Sequence, residues 1–101
     1  MNLRWLFVSQ IFALERTSQF KRDYRRELLS AHDDLEAILS SVLEQLLRGQ
    51  SLPASLRDHP LKGRWKNYRD CHLKPNLVLI YQRTEGAVRL VRLGSHSELF
   101  G

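Results

Sequence analysis

The sequence has few of the features that secreted, metal-binding or membrane proteins require. Its 101 residues include one cysteine, Cys71, so an intramolecular disulfide is impossible, which fits a reducing cytoplasm. Paired Cys or His ligands at zinc-site spacing are absent, and Cys71 and His72 point to opposite faces if they lie on a strand. The length predicts a single domain. We therefore expect a cytoplasmic protein that needs no metal ion or other cofactor.

A long apolar run is also missing at the start of the chain. The stretch WLFV is far shorter than the roughly 18–20 apolar residues that span a bilayer, and no small-residue cleavage site follows it. We expect no membrane partner. We interpret residues 1–12 as an extra leading segment, of the kind that an upstream start codon adds, and residues 13–101 as the single folded domain.

The positive charge is concentrated in one half of the chain. Residues 1–61 contain eight Lys and Arg and eight Asp and Glu, whereas residues 62–101 contain eight Lys and Arg and three Asp and Glu. The second half therefore holds the whole net charge of +5. A basic half beside a neutral half favours contact with a polyanion such as nucleic acid, although a solvated basic sheet face would give the same counts.

Hydrophobic periodicity predicts one strand followed by two helices in the first half. FALERT, at 12–17, is typical of a strand, and 18–29 repeats an aromatic or leucine residue every fourth position, with Ser18 as the helix cap. Residues 30–49 carry the clearest apolar stripe, and Gly49 ends that helix. We expect the stripe to pack in the core; the alternative is a docking face for a partner helix.

Three strands joined by tight turns are predicted in the second half. The stretch RWKNYRDCHL alternates, so that Lys66, Tyr68, Asp70 and His72 share one face. The apolar stretch LVLIYQR is typical of a central strand, and AVRLVRL follows it after a turn. The order predicts an α+β fold, in which an N-terminal strand and a helical hairpin pack on a twisted, mostly antiparallel sheet.

Three histidines and one aspartate are placed where this topology can bring them together. Asp70 and His72 share a strand face, His59 lies in the loop before that strand, and His96 follows the last strand. Histidine transfers protons near neutral pH, and Arg or Lys stabilise a transition state with extra negative charge. This combination suits metal-free RNA cleavage, although isolated histidines are more often surface or hydrogen-bonded residues.

Two sequence blocks carry a resemblance to a known family. DHPLKGRWKNYRDCHLKPNLVLIYQ and RLGSHSELFG resemble the YafQ branch of the RelE/ParE toxin superfamily. The resemblance implies a RelE/ParE-like fold and the toxin of a type II toxin–antitoxin module. It also implies a ribosome-dependent, metal-free endoribonuclease that cuts messenger RNA in the ribosomal A site. The implied partners are this mRNA, ribosomal RNA and a ribbon-helix-helix antitoxin, through whose complex operator DNA is bound.

The resemblance also assigns roles to individual residues. It implies that His96 is the main proton-transfer residue, that His59 and His72 are its partners, and that Asp70 orients a histidine or relays protons. Phe100 is expected to place a nucleotide. The remaining residues predicted to bind substrate are Asn76, Lys66, Arg69, Arg83 and Arg92.

One position departs from the family pattern. Many YafQ-like sequences have an aspartate after the proline of the KP turn, whereas this chain has Asn76, which cannot accept a proton at neutral pH. Asn76 therefore either only positions the substrate or makes the enzyme slower. Two alternatives stay open: a ParE-like toxin that binds a protein target such as gyrase, and an inactive relative that binds only antitoxin or RNA.

Overall fold

The computed structural model describes residues 12–30 and 32–101, so the predicted leading segment lies, except for Phe12, outside the described residues. The described part forms five strands and three α-helices. In chain order they are β1 (Ala13–Arg16), α1 (Ser18–Leu28), α2 (Leu35–Leu47), β2 (His59–Pro60), β3 (Arg69–Lys74), β4 (Leu77–Arg83), β5 (Ala87–Gly94) and α3 (His96–Phe100). None of the helices in this part is long and apolar enough to cross a membrane.

The five described strands form one sheet in the order β1-β5-β4-β3-β2. β1 runs parallel to β5, and the other three strand pairs are antiparallel. A parallel pair needs a long crossover, which here contains α1, α2 and the intervening strands. The prediction of an α+β fold with a mostly antiparallel sheet is therefore confirmed.

The helix α2 covers one face of the sheet with its predicted apolar stripe. Leu35 and Leu46 are fully buried, and they belong to the same core as Leu79 and Tyr81 of β4 and Leu90 of β5. Burying such side chains contributes about 1.5–3 kcal/mol each. The prediction that the stripe lies in the core is confirmed, and the stripe is not available to a partner helix.

The opposite face of the sheet carries a smaller apolar cluster, in which Val78, Ile80 and Leu99 are buried. Because side chains alternate along β3, Cys71 belongs to the core under the helices, whereas Asp70 pairs with Ile80 on the smaller-cluster face. We call this second face the open face. The predicted alternation of the DCH stretch is confirmed.

The strand predicted over 64–73 is shorter than expected, because β3 begins at Arg69. Gly63 (φ 65°) and Asn67 (φ 76°) have left-handed backbone conformations that a strand does not contain. A 3₁₀ turn at Gly63–Trp65 and the bend after it occupy the place of the expected strand. Lys66 therefore lies in a turn and does not share a strand face with Asp70.

The helix ends also differ from the prediction. Thr17, and not Ser18, caps α1, because its side chain accepts a backbone N–H of the first turn. The second helix begins at Leu35 rather than near residue 30, and Ser30 instead donates to the Glu27 carbonyl at the end of α1. The closing stretch HSELF forms the helix α3, where a turn was expected.

Candidate active site

The strand register gathers the four predicted catalytic residues on the open face. His59 of β2 pairs with Asp70 of β3. His72 and Gly94 both pair with the same residue of the central strand β4, one from each side, and His96 follows Gly94 by two residues. The rings of His59 and His72 are 6.5 Å apart. All three histidines lie close enough to Asp70 for positive charge on any of them to lower the pKa of its carboxylate.

Asp70 is a buried carboxylate, with 1% of its surface exposed. Its Oδ1 lies 3.1 Å from Nδ1 of His59, but no hydrogen bond from the described residues is directed at this oxygen. Burial raises the pKa of Asp70, while the nearby His59, His72 and His96 act in the opposite direction. An ionised carboxylate in such a place is favoured by a positive charge beside it. Positive charge on a neighbouring imidazole would therefore favour the ionised form of Asp70.

The ring of His59 is held in one orientation by the loop that precedes it. Its Nδ1 lies 2.7 Å from the carbonyl oxygen of Arg57. Because a carbonyl oxygen only accepts, Nδ1 carries the hydrogen in this contact, and Nε2 is left to exchange protons with a substrate. Arg57 has a left-handed backbone (φ 52°), and the side chain of His59 is 49% exposed. His59 is thus fixed at one nitrogen and accessible at its ring.

The helix α3 presents His96 and Phe100 side by side. Ser95 and Glu98 form a capping box: the Ser95 side chain accepts from the Glu98 N–H (3.2 Å), and the Glu98 carboxylate accepts from the Ser95 N–H (2.8 Å). Positions four apart share a helix face, and the rings of His96 and Phe100 are 4.8 Å apart. The capping box therefore fixes the helix that places the imidazole of His96 next to the ring of Phe100.

A second buried carboxylate, Asp23 of α1, fastens the end of β5. Asp23 is fully buried, and it accepts from Nε of Arg92 (2.8 Å), the Leu93 N–H (3.0 Å) and Nη1 of Arg26 (3.1 Å). Burial opposes ionisation, but the hydrogen bonds from Arg92, Leu93 and Gln19 outweigh it and keep the pKa of Asp23 below its ordinary value. The predicted substrate-binding residue Arg92 is therefore anchored in an ion pair within the protein.

Two other predicted substrate-binding arginines lie beside a cavity of about 600 Å³ that the loop after α2 also lines. Asp58 accepts from Arg69 (Nε at 3.3 Å and Nη2 at 3.2 Å) and from the Tyr81 hydroxyl (2.6 Å). Arg83 is exposed at the rim of the same cavity. The structure therefore places Arg69 and Arg83 together, with Arg69 held by Asp58.

The remaining predicted residues lie in turns. Lys66 and Asn76 are exposed in the turns before and after β3, and no hydrogen bond joins the side chain of either to a described residue. His32 lies outside the site, with its Nδ1 3.1 Å from Nζ of Lys74. Cys71 is buried in the core, and burial raises the pKa of its thiol to about 12, so the thiol is unreactive.

The sequence did not single out Trp65 and Arg64 as candidate binding residues. The guanidinium of Arg64 lies 5.4 Å from the centre of the Trp65 ring, and Trp65 meets Tyr68 edge to face with ring centres 5.4 Å apart. The alternation RWK contained a signal, because aromatic residues interleaved with cations are typical of nucleic-acid surfaces. The same residues also fit the alternation of a strand, which obscures this signal.

The chemistry available at the open face is proton transfer beside a buried negative charge. Within residues 12–30 and 32–101, no group of three or more His, Cys, Asp and Glu side chains is arranged to hold a metal ion. Three imidazoles around one carboxylate provide groups that accept and donate protons near neutral pH.

Comparisons with known proteins connect this arrangement to a family. The model of the family described as the bacterial toxin YafQ of type II toxin–antitoxin systems matches residues 12–101. The mRNA interferase toxin YafQ of Escherichia coli is 34% identical over 91 residues, which cover 87% of this chain and 99% of that protein. The predicted resemblance is confirmed.

Solved structures agree with the sequence comparisons. A copper-bound mutant toxin from Helicobacter pylori has a TM-score of 0.83 and 39% identity, over 88% of this chain and 99% of that one. The toxin in the E. coli DinJ–YafQ toxin–antitoxin complex has a TM-score of 0.78 and 36% identity, over 90% and 99% of the two chains. The chain therefore belongs to the YafQ family of bacterial toxins of type II toxin–antitoxin systems.

Proposed function

We propose that the chain is a ribosome-dependent endoribonuclease that cuts messenger RNA in the ribosomal A site by metal-free, histidine-based acid–base catalysis. Its relatives at 34–35% identity are named mRNA interferase toxins. The observation that carries the catalytic part is the grouping of His59, His72 and His96 around the buried carboxylate of Asp70 on the open face.

The reaction requires two proton transfers. One imidazole takes the proton of the ribose 2′-hydroxyl while the 2′-oxygen forms a bond to the adjacent phosphorus. A protonated imidazole gives its proton to the 5′-oxygen as the bond between phosphorus and that oxygen breaks. Each such transfer contributes about 10²–10⁴-fold to the rate. The products are a cyclic phosphate on one fragment and a free 5′-hydroxyl on the other.

Each residue has a place in this scheme. His96 is the main proton-transfer residue, with His59 and His72 as partners. Asp70 lies 3.1 Å from His59 and stabilises the imidazolium that forms when His59 takes up a proton. Phe100, 4.8 Å from His96, stacks on a base and so aligns the nucleotide with the catalytic groups.

As a type II toxin, the chain has a cognate antitoxin, as the YafQ of the DinJ–YafQ complex does. We expect this antitoxin to have a ribbon-helix-helix DNA-binding part, so that operator DNA is bound through the complex. The surplus of positive charge in residues 62–101 suits contact with mRNA and ribosomal RNA in the cytoplasm.

The test is induced expression of the wild type and of His96→Ala in cells, followed by mapping of mRNA 5′ ends. We expect cuts at a fixed codon position in translated messages, and a loss of at least about 10²-fold in the variant. His32→Ala is the matched control, because this histidine lies outside the open face.

Three outcomes contradict the proposal. Growth arrest with intact messages would indicate a protein target such as gyrase. Cutting that persists in His96→Ala would remove this residue from the mechanism. Neither cutting nor arrest by the wild type would indicate an inactive relative that binds only antitoxin or RNA.

A further inference from the structure

A groove of about 420 Å³ adjoins the catalytic cluster at the C-terminal end of α3. Trp65 and Phe100 line it together with Arg64 and Arg92, and both aromatic rings are partly exposed. Phe100 also contacts His96, so this one residue adjoins both the groove and the catalytic cluster. Its volume lies within the range of small-ligand sites, which is roughly 300–1,000 Å³.

We propose that this groove is a subsite for the base of a nucleotide next to the cleaved phosphate, with Trp65, Arg64 and Phe100 as its recognition surface. The inference rests on the proposed function, since it names part of the substrate that the same open face would bind. It adds Trp65 and Arg64 to the residues that contact RNA.

The stacking surface is built in advance. Arg64 lies over the Trp65 ring at 5.4 Å, and Tyr68 supports Trp65 from the edge. Bases in single-stranded RNA stack on aromatic rings and on planar guanidinium groups alike. A base that enters the groove can therefore stack on Phe100 or on the Arg64–Trp65 pair, which line it together.

The charges of the groove favour a neutral base over a phosphate. Arg92 is paired with the buried Asp23, and Glu98 also lines the groove. Glu98 accepts from the Ser95 N–H and lies 3.5 Å from Arg26. These contacts keep the pKa of Glu98 below its ordinary value, so that it is a carboxylate at neutral pH. A carboxylate in the wall repels phosphate but tolerates an uncharged base. Arg64 is exposed and has no ion pair with a described residue, so no carboxylate among the described residues competes with a base for its planar group.

The experiment measures cleavage rates on ribosomes that carry a defined message, with each nucleotide next to the cut in turn made abasic. We expect the wild type to slow by about tenfold or more at one of these positions, within the roughly 5- to 150-fold that one stacked base is worth. Trp65→Ala and Arg64→Ala should each lower the cleavage rate on the normal message by a similar factor. On the message that is abasic at that position, these variants should lower the rate little further. Trp65→Phe, which keeps a ring, should retain most of the rate.

Matched variants separate stacking from charge and from folding. Arg64→Lys should behave like Arg64→Ala, because lysine keeps the charge but has no planar group. Arg25→Ala removes an exposed arginine of α1 whose side chain has no partner among the described residues, and it should leave the rate unchanged. If thermal melting shows that Trp65→Ala does not fold, the exposed Arg64 variants carry the test.

The outcomes are distinct. Equal cleavage rates of the wild type on abasic and normal messages would overturn the subsite and leave the proposed function intact. The same conclusion would follow if the rate losses from the variant and from the abasic residue simply multiplied. Failure of the wild type to cut any such message would overturn both. A loss in Arg64→Ala that Arg64→Lys restores would overturn the stacking role, because charge alone would then explain it.

Discussion

Asp23 and Asp70 are both buried carboxylates, yet their surroundings are opposite. Asp23 is 0% exposed and accepts hydrogen bonds from Arg92, Leu93, Arg26 and Gln19. Asp70 is 1% exposed, but its Oδ1 receives no directed hydrogen bond from the described residues. The pKa of Asp23 lies below the ordinary value and that of Asp70 above it.

The difference separates a fully hydrogen-bonded carboxylate, Asp23, from Asp70, which we propose acts in catalysis. Burial penalises both charges, and only the surroundings of Asp23 compensate fully with fixed donors. The compensation at Asp70 comes mainly from histidines, which change charge near neutral pH. A site that keeps a buried negative charge incompletely paired can stabilise a proton that arrives during a reaction.

The largest expected effect is on stability, from Asp23→Asn. The change leaves Arg92 without its buried anion, and breaking such a pair costs about 3–5 kcal/mol. Urea unfolding measures this loss. Asp33→Asn, at an exposed aspartate without an ion pair in the described structure, is the control and should stay within about 0.5 kcal/mol of the wild type. Equal stabilities of the two variants would refute a structural role for Asp23.

Asp70→Asn should instead lower the cleavage rate strongly and change the stability little. We expect cleavage to fall by about 10²–10³-fold, as when a fixed electrostatic partner is removed from other active sites. The free energy of unfolding should stay within about 1 kcal/mol of the wild type or rise, because the removed charge was buried and poorly hydrogen-bonded. Cleavage on programmed ribosomes and urea unfolding of the same preparation test both halves. A large loss of stability with full cleavage activity in Asp70→Asn would instead show that Asp70 has a structural role and no catalytic one.

The two carboxylates should also respond oppositely to pH. The ordinary pKa of both is 3.8. Because folding lowers the pKa of Asp23, the wild-type advantage over Asp23→Asn is present above pH 3.8 and is lost as the pH falls through the lowered value. Because folding raises the pKa of Asp70, the wild type loses stability relative to Asp70→Asn as the pH rises from 3.8 through the raised value. Urea unfolding over a pH range that extends well to both sides of 3.8 should give slopes of opposite sign; slopes of the same sign would contradict the comparison.

The sequence predicted the surroundings of Asp70 better than those of Asp23, because local patterns determine the former. The alternation of Asp70, Cys71 and His72 follows from the period of a strand, and the pairing of Asp70 with His59 needs only a short return of the chain. Arg92, by contrast, is 69 residues from Asp23, and nothing in the local pattern of α1 distinguishes Asp23 from a solvated helix aspartate. Partners that distant depend on the tertiary fold.

Two local features escaped prediction for different reasons. The left-handed backbone at Asn67 interrupts an apolar–polar alternation that otherwise reads as a strand, because alternation does not register a single positive φ. The helix α3 could have been predicted, since Ser95 and Glu98 have the spacing of a capping box. A five-residue helix has too little periodicity to outweigh the turn signals around it.

The smallest expected effect tests whether Arg26, which pairs with Asp23, helps to position the helix α3 that carries His96. A Cβ at Gly94 would meet Nη2 of Arg26 at 2.9 Å and Oε1 of Glu98 at 3.2 Å. Arg26 cannot yield freely, because it also contacts Asp23 and donates to the Leu93 carbonyl (2.8 Å). Gly94→Ala should therefore cost about 1–3 kcal/mol, and it should slow cleavage by displacing α3 with His96.

The double variant Gly94→Ala, Arg26→Ala makes this prediction specific. Removing the Arg26 side chain relieves the closest contact, so the double variant should recover part of the cleavage rate lost in Gly94→Ala, although Arg26→Ala alone removes contacts to Asp23 and Glu98. Cleavage and unfolding of the four proteins form a double-mutant cycle. If the losses of the two single changes add, Arg26 does not transmit the effect of Gly94, and α3 is positioned by its own capping box and by Leu99 alone.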